Sequence, residues 1–355
     1  MASRLVCLAF VWCLGCSHSA PTAPIVLGHL QSGQNDDEMH GIALAVETIN
    51  ADAGNNVIAR KLKVIHSDAG ATPDETQGQA VRLLTIDKVE GLIGADRWPQ
   101  AEKMALAAQS PATIAMSLNG YAGSPAVASL FPVGIAPDEQ GRALARYVKE
   151  TLKSAKVVVL VEADATIPRL IAKSFIEHFG SGAEHTIKAG EAPDSLKDLG
   201  KPDAIVMCGS AKSVLAWRSK LPSVSLLFGG EEADVPTLQA EADSMKPIVA
   251  AVSFHPDDET PAAKEFVRQY QEKHLKPPTI AAALAHDAVG VWAEAARRSN
   301  SLQADKIREQ LMKNDATFNV LTGQLSFAAN HSPRRAIFLI KTEGNQMPKL
   351  LAREP

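Results

Sequence analysis

The chain has 355 residues, which suggests two domains when ~150 residues per domain is taken as a guide. Hydrophobic residues make up 46% of it and charged residues 21%. This composition can bury a core and excludes disordered, collagen-like and disulfide-rich classes. With a formal net charge of −4 and 5% aromatic residues, the chain has neither the basic surface nor the stacking side chains typical of nucleic-acid binding.

The N-terminal segment has the composition of an export signal. Arg4 is its only charged residue, and an apolar run follows at 5–14, too short for a transmembrane helix but typical of a signal-peptide core. Cleavage before Cys16 leaves the small Gly15 at the preceding position and frees a thiol for lipid. We therefore expect residues 1–15 to be a lipoprotein-type signal peptide and Cys16 the lipid attachment site. A plain secretion signal with another cleavage site is the alternative.

Removal of this segment would also discard Cys7 and Cys13, two of the four cysteines. With lipid on Cys16, Cys208 would have no cysteine to pair with, so no intrachain disulfide is expected. Cys208 ends the apolar run 203–208 and is predicted to be a buried strand residue. The inference of an oxidising, extracytoplasmic compartment therefore depends on the signal and not on disulfides.

Predicted strands and helices alternate along the rest of the chain. The apolar runs that predict strands lie at 25–30, 61–66, 91–94, 156–161, 203–208, 224–228 and 336–341. The patterns that predict helices lie at 37–53, 74–87, 99–109, 167–179, 211–220, 279–299 and 302–313. This order predicts an α/β protein with parallel sheets covered on both faces. Two such series without a linker predict two doubly wound lobes, between which the chain crosses more than once to form a hinge and a closing cleft.

Common enzyme motifs are missing from the sequence. It contains no nucleophile elbow, no phosphate-binding loop, no dinucleotide fingerprint after the first strand and no His-Glu-x-x-His zinc motif. His66 and Asp68 could hold a metal, but a solvated loop pair is the favoured interpretation. His286 and Asp287 are interpreted as a helix-face pair with satisfied hydrogen bonds. We therefore expect a binding protein without catalytic residues, metal or cofactor.

Several segments carry a resemblance to a known family. They are GIALAVETIN at 41–50, AVRLL at 80–84 before GLIG at 91–94, FPVGIAPDEQG at 131–141, AALAHDAV at 282–289 and TGQLSFAAN at 322–330. In this order they resemble the substrate-binding proteins of branched-chain amino acid ABC transporters, the type I periplasmic binding proteins. The resemblance implies two Rossmann-like lobes joined by a three-crossing hinge. It places the lobes at 24–133 with 256–327 and at 134–255 with 328–355, and the crossings near 131–136, 251–256 and 326–330.

The resemblance also implies where ligand contacts lie, in loops at the carboxyl ends of strands. The residues it predicts to bind ligand are Ser32, Arg97, Trp98, Asn119, Gly120, Tyr121, Ser210 and Glu231. By its chemistry, Arg97 could bind a carboxylate, and Trp98 offers an apolar or cation-binding face. A solvated loop and packing between the lobes are the respective alternatives.

In the same family an acidic residue that pairs with the ligand's ammonium group corresponds to Glu231. Asn119 and Tyr121 could supply hydrogen-bond donors. The alternatives are a surface acidic pair and a simple turn. The family's two tyrosines of the second lobe correspond to Ile167 and Ser210 and are missing, as is its serine-rich loop, so the ligand's identity stays open.

The expected function is that of an exported binding protein. We expect a monomer on the periplasmic or outer face of a bacterial membrane, held there only by its lipid. It would capture an amino acid, amide or small carboxylate between closing lobes and deliver it to an ABC permease. A ligand-sensing regulatory protein of the same fold is the first alternative, and an enzyme the second.

Overall fold

The computed structural model describes residues 23–33, 36–51, 57–110, 112–123, 127–180, 183–187, 201–218, 220–221, 224–241, 247–342 and 346–354. The predicted signal peptide 1–15 and Cys16 lie outside these residues. Among the described helices, none is both long and apolar enough to cross a membrane.

The described elements follow the predicted alternation. The strands are β1 Ile25–Gln31, β2 Leu62–Asp68, β3 Gly91–Gly94, β4 Ile114–Ser117, β5 Leu130–Pro132, β6 Val157–Glu162, β7 Ala183–Ile187, β8 Ala204–Cys208, β9 Ser225–Gly229, β10 Ile248–Val252, β11 Phe318–Val320, β12 Gly323–Phe327, β13 Pro333–Arg334, β14 Ile337–Lys341 and β15 Lys349–Glu354. The α-helices are α1 Asp37–Ala51, α2 Pro73–Thr85, α3 Trp98–Ala108, α4 Pro137–Arg146, α5 Thr166–Phe179, α6 Ala211–Arg218, α7 Val235–Ala240, α8 Pro261–His274, α9 Ile280–Ser299 and α10 Ala304–Leu311.

The first sheet contains five strands in the order β2-β1-β3-β4-β5, all paired in parallel. Its core lies on both faces, because α1, α9 and α10 pack on one side and α2 and α3 on the other. Continuous apolar strands are therefore stable here, and every residue of β3 and β4 is buried. A capping box formed by Thr72 and Glu75 begins α2.

The second sheet contains seven strands in the order β15-β14-β10-β9-β8-β6-β7. Helices α4 and α5 cover one face, and α6 and α7 cover the other. Cys208 is buried at the end of β8, as predicted. The expectation of wholly parallel sheets is wrong at one edge, where β14 runs antiparallel to β10 and β15 antiparallel to β14. The chain reaches β14 directly from β13 without a crossover helix, and antiparallel pairing needs none.

The chain passes between the two sheets three times, after β5, after β10 and after β12. Arg335, on the third passage, joins all three, because its guanidinium donates hydrogen bonds to the carbonyl oxygens of Val133 and Ser253 on the first and second. It also pairs with Asp287 of α9 at 2.9 Å, and both side chains are 1% exposed. The other carboxylate oxygen of Asp287 accepts a hydrogen bond from the Leu321 amide at 2.9 Å. This buried network fixes the passages relative to one another.

The two histidine–aspartate pairs singled out in the sequence differ from expectation. His66 and Asp68 lie in β2 and not in a loop. The backbone pairing of β2 with β1 sets His66 beside His29, and their Nδ1 atoms lie 2.9 Å apart. Asp287 is satisfied by the network above, but His286 Nδ1 has no hydrogen-bond partner among the described residues. The described part of the chain contains no group of three or more His, Cys, Asp or Glu residues that could hold a metal.

Candidate ligand-binding site

The carboxyl ends of the two sheets' parallel strands face a common cleft. The loops after β3 and β4 reach it from the first sheet, and the loop after β9 reaches it from the second. Within it lies a cavity of about 20 Å³, which is room for about one water molecule. Its lining residues are Asn119, Gly120, Tyr121, Ile135, Pro137, Gln140, Ile167, Ile171, Gly230, Glu231 and Glu232.

The loop after β4 approaches the first passage between the sheets closely. A Cβ atom at Gly120 would collide with the carbonyl oxygen of Ile135, so glycine is the residue that this approach requires. The backbone amide of Tyr121 donates a hydrogen bond of 2.7 Å to Asn119 Oδ1, which holds the turn. The tight loop therefore brings Asn119 and Tyr121 to the cavity.

Two buried amide side chains that line the cavity each have one polar atom without a hydrogen-bond partner among the described residues. Asn119 Oδ1 accepts the bond from the Tyr121 amide, whereas the donor Nδ2 of Asn119 has no partner among the described residues. Gln140 Nε2 donates to the carbonyl oxygens of Gly230 at 3.0 Å and Ala251 at 3.4 Å, and this leaves the acceptor Oε1 of Gln140 without a partner there. Asn119 and Gln140 are 6% and 2% exposed. Leaving such groups unpaired costs about 1 to 3 kcal/mol each, so a ligand that pairs with them gains that free energy.

The remaining cavity wall is largely apolar. Ile135, Pro137, Ile167 and Ile171 contribute it. Ile167 stands where the family resemblance places a tyrosine, so an aliphatic side chain replaces a hydroxyl-bearing aromatic one at the cavity itself.

The rims of the cleft contact each other through a cluster of charged groups. Arg97, in the loop after β3, pairs with Asp234 at 2.9 Å and lies 3.6 Å from a carboxylate oxygen of Glu231. The backbone amide of Trp98 donates a 2.6 Å hydrogen bond to Glu231. The Trp98 ring packs edge-on against Tyr121, with 4.6 Å between ring centroids. Arg97 and Glu231, both predicted to bind ligand, thus contact each other across the cleft.

Glu232, next in sequence, is held by the passages between the sheets. One of its carboxylate oxygens accepts a hydrogen bond of 2.9 Å from the Ile135 amide. The other accepts bonds of 2.6 and 2.7 Å from the amide and hydroxyl of Ser253. Glu232 therefore has a structural role at the base of the cavity and is not an exposed member of a surface acidic pair.

Burial dominates the electrostatics of the rim. It raises the pKa of Glu231 from 4.5 to about 7, although the Trp98 amide and Arg97 favour the charged carboxylate. Burial alone would lower the pKa of Arg97, but Asp234 and the other nearby carboxylates outweigh it and raise the pKa, so Arg97 stays charged. Near pH 7, Glu231 therefore holds its proton far more often than an exposed carboxyl group does.

Beneath the first-sheet rim lies a buried polar chain. His29 Nε2 lies 2.8 Å from Glu38 Oε2, and the Ser32 amide donates to the same carboxylate at 3.2 Å. Burial lowers the pKa of His29 to about 3 and raises that of Glu38 to about 8. The hydroxyl oxygen of Ser32 in turn accepts a hydrogen bond of 3.3 Å from the Asp96 amide. Ser32 thus connects this chain to the loop that carries Arg97.

The predicted site residues therefore separate into two sets. Asn119, Gly120, Tyr121 and Glu231 line the cavity. Ser32, Arg97, Trp98 and Ser210 do not line it, and their direct contact with a ligand stays a prediction. The Ser210 amide donates a 2.6 Å hydrogen bond to Glu162, which positions the start of α6.

Gln140 is the main cavity residue that sequence reasoning missed. It lies in the segment 131–141 that carries the family resemblance, but no helix was predicted there. The orientation of its side chain depends on the carbonyl oxygens of Gly230 and Ala251, which are 90 and 111 positions away in the sequence. The sequence offers no signal for contacts at that separation.

Comparison with known proteins identifies the class. Residues 32–346 match the family described as periplasmic binding protein. Because this match covers more than half of the chain, the chain belongs to that family. A comparison with curated proteins gives no match.

Solved structures of the same fold are similar over nearly the whole chain. One is the leucine binding protein LivK from Thermotoga maritima, at 21% identity and a TM-score of 0.75, covering 93% of this chain and 98% of that one. Another is the branched-chain amino acid transporter substrate binding protein LivJ from Streptococcus pneumoniae in complex with isoleucine. Its sequence identity is 25% and its TM-score 0.74, and the match covers 94% of this chain and 99% of that one. A third is an ABC transporter solute binding protein from R. palustris in complex with benzoate. Its sequence identity is 17% and its TM-score 0.71, and the match covers 93% of this chain and 96% of that one.

The family resemblance and the fold predicted from it are confirmed. The protein is a periplasmic binding protein of type I fold, related to the substrate-binding proteins of branched-chain amino acid ABC transporters. Family membership implies an extracytoplasmic protein that captures a small-molecule ligand and works with a permease.

Proposed function

We propose that the cleft captures a small neutral ligand that carries one hydrogen-bond acceptor and one donor, without chemical turnover. A short aliphatic primary amide fits best. The observation that carries this proposal is the pair of unsatisfied buried atoms at the cavity, Asn119 Nδ2 and Gln140 Oε1. The carbonyl oxygen of an amide would accept from Asn119, its NH₂ group would donate to Gln140, and its alkyl group would contact the isoleucine wall.

Charged ligands fit this cavity less well. A carboxylate would face the acceptor Oε1 of Gln140 and the acidic side chains of Glu231 and Glu232. An ammonium group would need Glu231, which Arg97 already approaches to 3.6 Å. A neutral ligand leaves the contacts of Arg97 with Asp234 and Glu231 intact. A zwitterion that binds Arg97 and Glu231 would have to displace both of these contacts. The pairing of Arg97 with a ligand carboxylate and of Glu231 with a ligand ammonium remains the competing prediction.

Ligand entry requires the two lobes to separate. A cavity of about 20 Å³ is smaller than any amide, and the rim contacts close it. We propose that the lobes, 24–133 with 256–327 and 134–255 with 328–355, open about the three passages and close on ligand, and that the closed form docks on an ABC permease. A ligand that contacts both lobes favours the closed state by its difference in affinity for the two states.

A panel of four compounds with similar alkyl groups tests the ligand's chemistry. The compounds are isobutyramide, isobutyrate, isobutylamine and leucine, each at equal concentration and ionic strength. Isobutyramide is expected to raise the melting temperature most, because a ligand selective for the native state stabilises it. A larger rise with isobutyrate, isobutylamine or leucine, or no rise with any compound, would contradict the neutral-amide assignment.

We also propose that the mature protein is a monomer anchored by lipid at Cys16. The support is the sequence 1–20, with its ten-residue apolar core and small Gly15 before the cysteine. Radioactive palmitate should label the wild-type chain expressed with its own signal, and Cys16→Ser should abolish the label. Equal labelling of both would contradict the anchor.

A further inference from the structure

A second groove, of about 570 Å³, lies where the third passage meets α4 and β15. It shares no lining residue with the cleft cavity. Its charged lining consists of Arg142, Arg334, Arg335, Arg353 and Glu139. Four arginines converging on one concave surface are unusual in a chain whose formal net charge is −4.

Two of these guanidinium groups have buried donors that no described residue accepts. The side chain of Arg335 is 1% exposed, and although its terminal nitrogens are used at the passages, its Nε has no acceptor. Arg142 donates to Glu139 through Nη2, and its buried Nε also has no acceptor. Buried N–H groups without acceptors are costly, and both of these belong to arginines that line the groove.

The charge that remains in the groove is positive. Arg142 pairs with Glu139, Arg335 with Asp287 at 2.9 Å, and Arg353 with Asp258 at 3.3 Å. Arg334, the exposed residue of β13, forms no ion pair with any described residue. The acidic side chain of Glu354, close by on β15, pairs with Arg146 at 3.2 Å and does not reach Arg334 within ion-pair distance.

We propose that this groove binds a phosphate-type oxyanion. The planar fork of a guanidinium group matches the spacing of phosphate oxygens, and a phosphate group offers more acceptor oxygens than a carboxylate to the donors that converge here. Arg334 and Arg335 belong to the third passage, whereas Arg142 belongs to α4 on the second sheet and Arg353 to β15 of that sheet, so the ion would tie the hinge to that lobe. The site is independent of the ligand proposed for the cleft.

Titration with inorganic phosphate tests the site directly. The experiment uses purified chain carrying Cys16→Ser, isothermal titration calorimetry at pH 7.5, and sodium chloride to hold the ionic strength constant. We expect saturable binding that Arg334→Gln weakens at least ~10-fold, since the change removes the unpaired charge and its charge-assisted hydrogen bonds to the ion. Arg142→Gln provides a second variant, away from the third passage.

The matched control is Arg82→Gln, which removes another exposed arginine, on α2, paired with Asp87 at 3.4 Å. It should leave phosphate affinity unchanged. A second experiment with lipid vesicles distinguishes free phosphate from a lipid headgroup. A headgroup is identified if the protein is retained on phosphatidylglycerol vesicles but not on phosphatidylcholine vesicles, and if Arg334→Gln abolishes the retention. Absence of binding to both free phosphate and vesicles, or equal weakening by Arg82→Gln, would overturn the proposal.

Discussion

Two arginine–aspartate pairs join the halves of this molecule, and their surroundings differ. Arg97 and Asp234 meet at the cleft rim, where the Arg97 side chain is 37% exposed. Arg335 and Asp287 meet at the passages, where both side chains are 1% exposed. Both pairs have the same separation of 2.9 Å.

Because the two pairs differ in exposure, we infer that they have different structural roles. Water can solvate Arg97 when the rims separate, so breaking the rim pair costs little. Arg335 cannot reach water without unfolding the passages, and its pair must persist while the lobes move. Equal geometry therefore gives a separable contact at the rim and a permanent one at the hinge.

The largest effect is expected when the hinge pair is broken. Asp287→Asn leaves the charge of Arg335 buried without a carboxylate, and we expect a loss of about 3 to 5 kcal/mol in the free energy of unfolding, measured by urea denaturation. Asp234→Asn, the matched change at the rim, leaves Arg97 partly exposed to water and should cost about 1 kcal/mol or less. Equal losses in the two variants would remove the distinction between the pairs.

The pH dependence of stability should reveal the buried acid at the rim. Because burial raises the pKa of Glu231 to about 7, the native state holds its proton more tightly than the unfolded chain does. The free energy of unfolding should therefore fall as the pH rises from about 4.5 to about 7, with a contribution from this residue of about 3 kcal/mol, since one pKa unit corresponds to about 1.4 kcal/mol.

Glu231→Gln should remove that part of the pH dependence, measured by urea denaturation at intervals between pH 4.5 and 7.5. The slope should become shallower without vanishing, since burial also raises the pKa of Asp96 to about 6 and of Glu38 to about 8. An unchanged profile in the variant would mean that Glu231 ionises as an exposed carboxylate does.

The smallest effect concerns the balance between open and closed lobes. Loss of the rim pair in Arg97→Gln should shift the ligand-free population towards the open form by about fivefold, the equivalent of about 1 kcal/mol. Small-angle X-ray scattering should then show a larger radius of gyration than for the wild type. Arg82→Gln is the control, and an unchanged radius in Arg97→Gln would show that the rim pair does not hold the cleft closed.

Much of the fold was predictable because its strands are continuous apolar runs. The run at 91–94 became β3 with the same bounds, and the long pattern at 279–299 became α9 within one residue. Helix α8 was missed because only Ala263, Phe266 and Tyr270 are buried in it, too few for a clear period. Strand β10 was not predicted either, because it is an apolar run of only five residues. At that length, periodicity alone does not distinguish a buried strand from a buried helix segment.

The site was only partly predictable, for a different reason. Loop residues such as Asn119 and Glu231 were found through the family resemblance, which implies ligand contacts in loops at the carboxyl ends of strands. The contacts that decide their chemistry are distant in sequence, as Arg97 and Asp234 are separated by 137 positions. No local pattern predicts that Arg97 meets acids of the opposite rim, or that Asn119 and Gln140 each keep an unpaired atom.

The central claim is that Asn119 Nδ2 donates to a neutral ligand in the cleft, and one substitution isolates that atom. Asn119→Asp keeps the oxygen that accepts from the Tyr121 amide and replaces only the donor. In calorimetric titrations with isobutyramide, we expect Asn119→Asp to weaken binding at least ~10-fold, since the lost donor becomes a charged acceptor, and the control Arg82→Gln on α2 to bind as the wild type does. Unchanged affinity in Asn119→Asp would contradict the account.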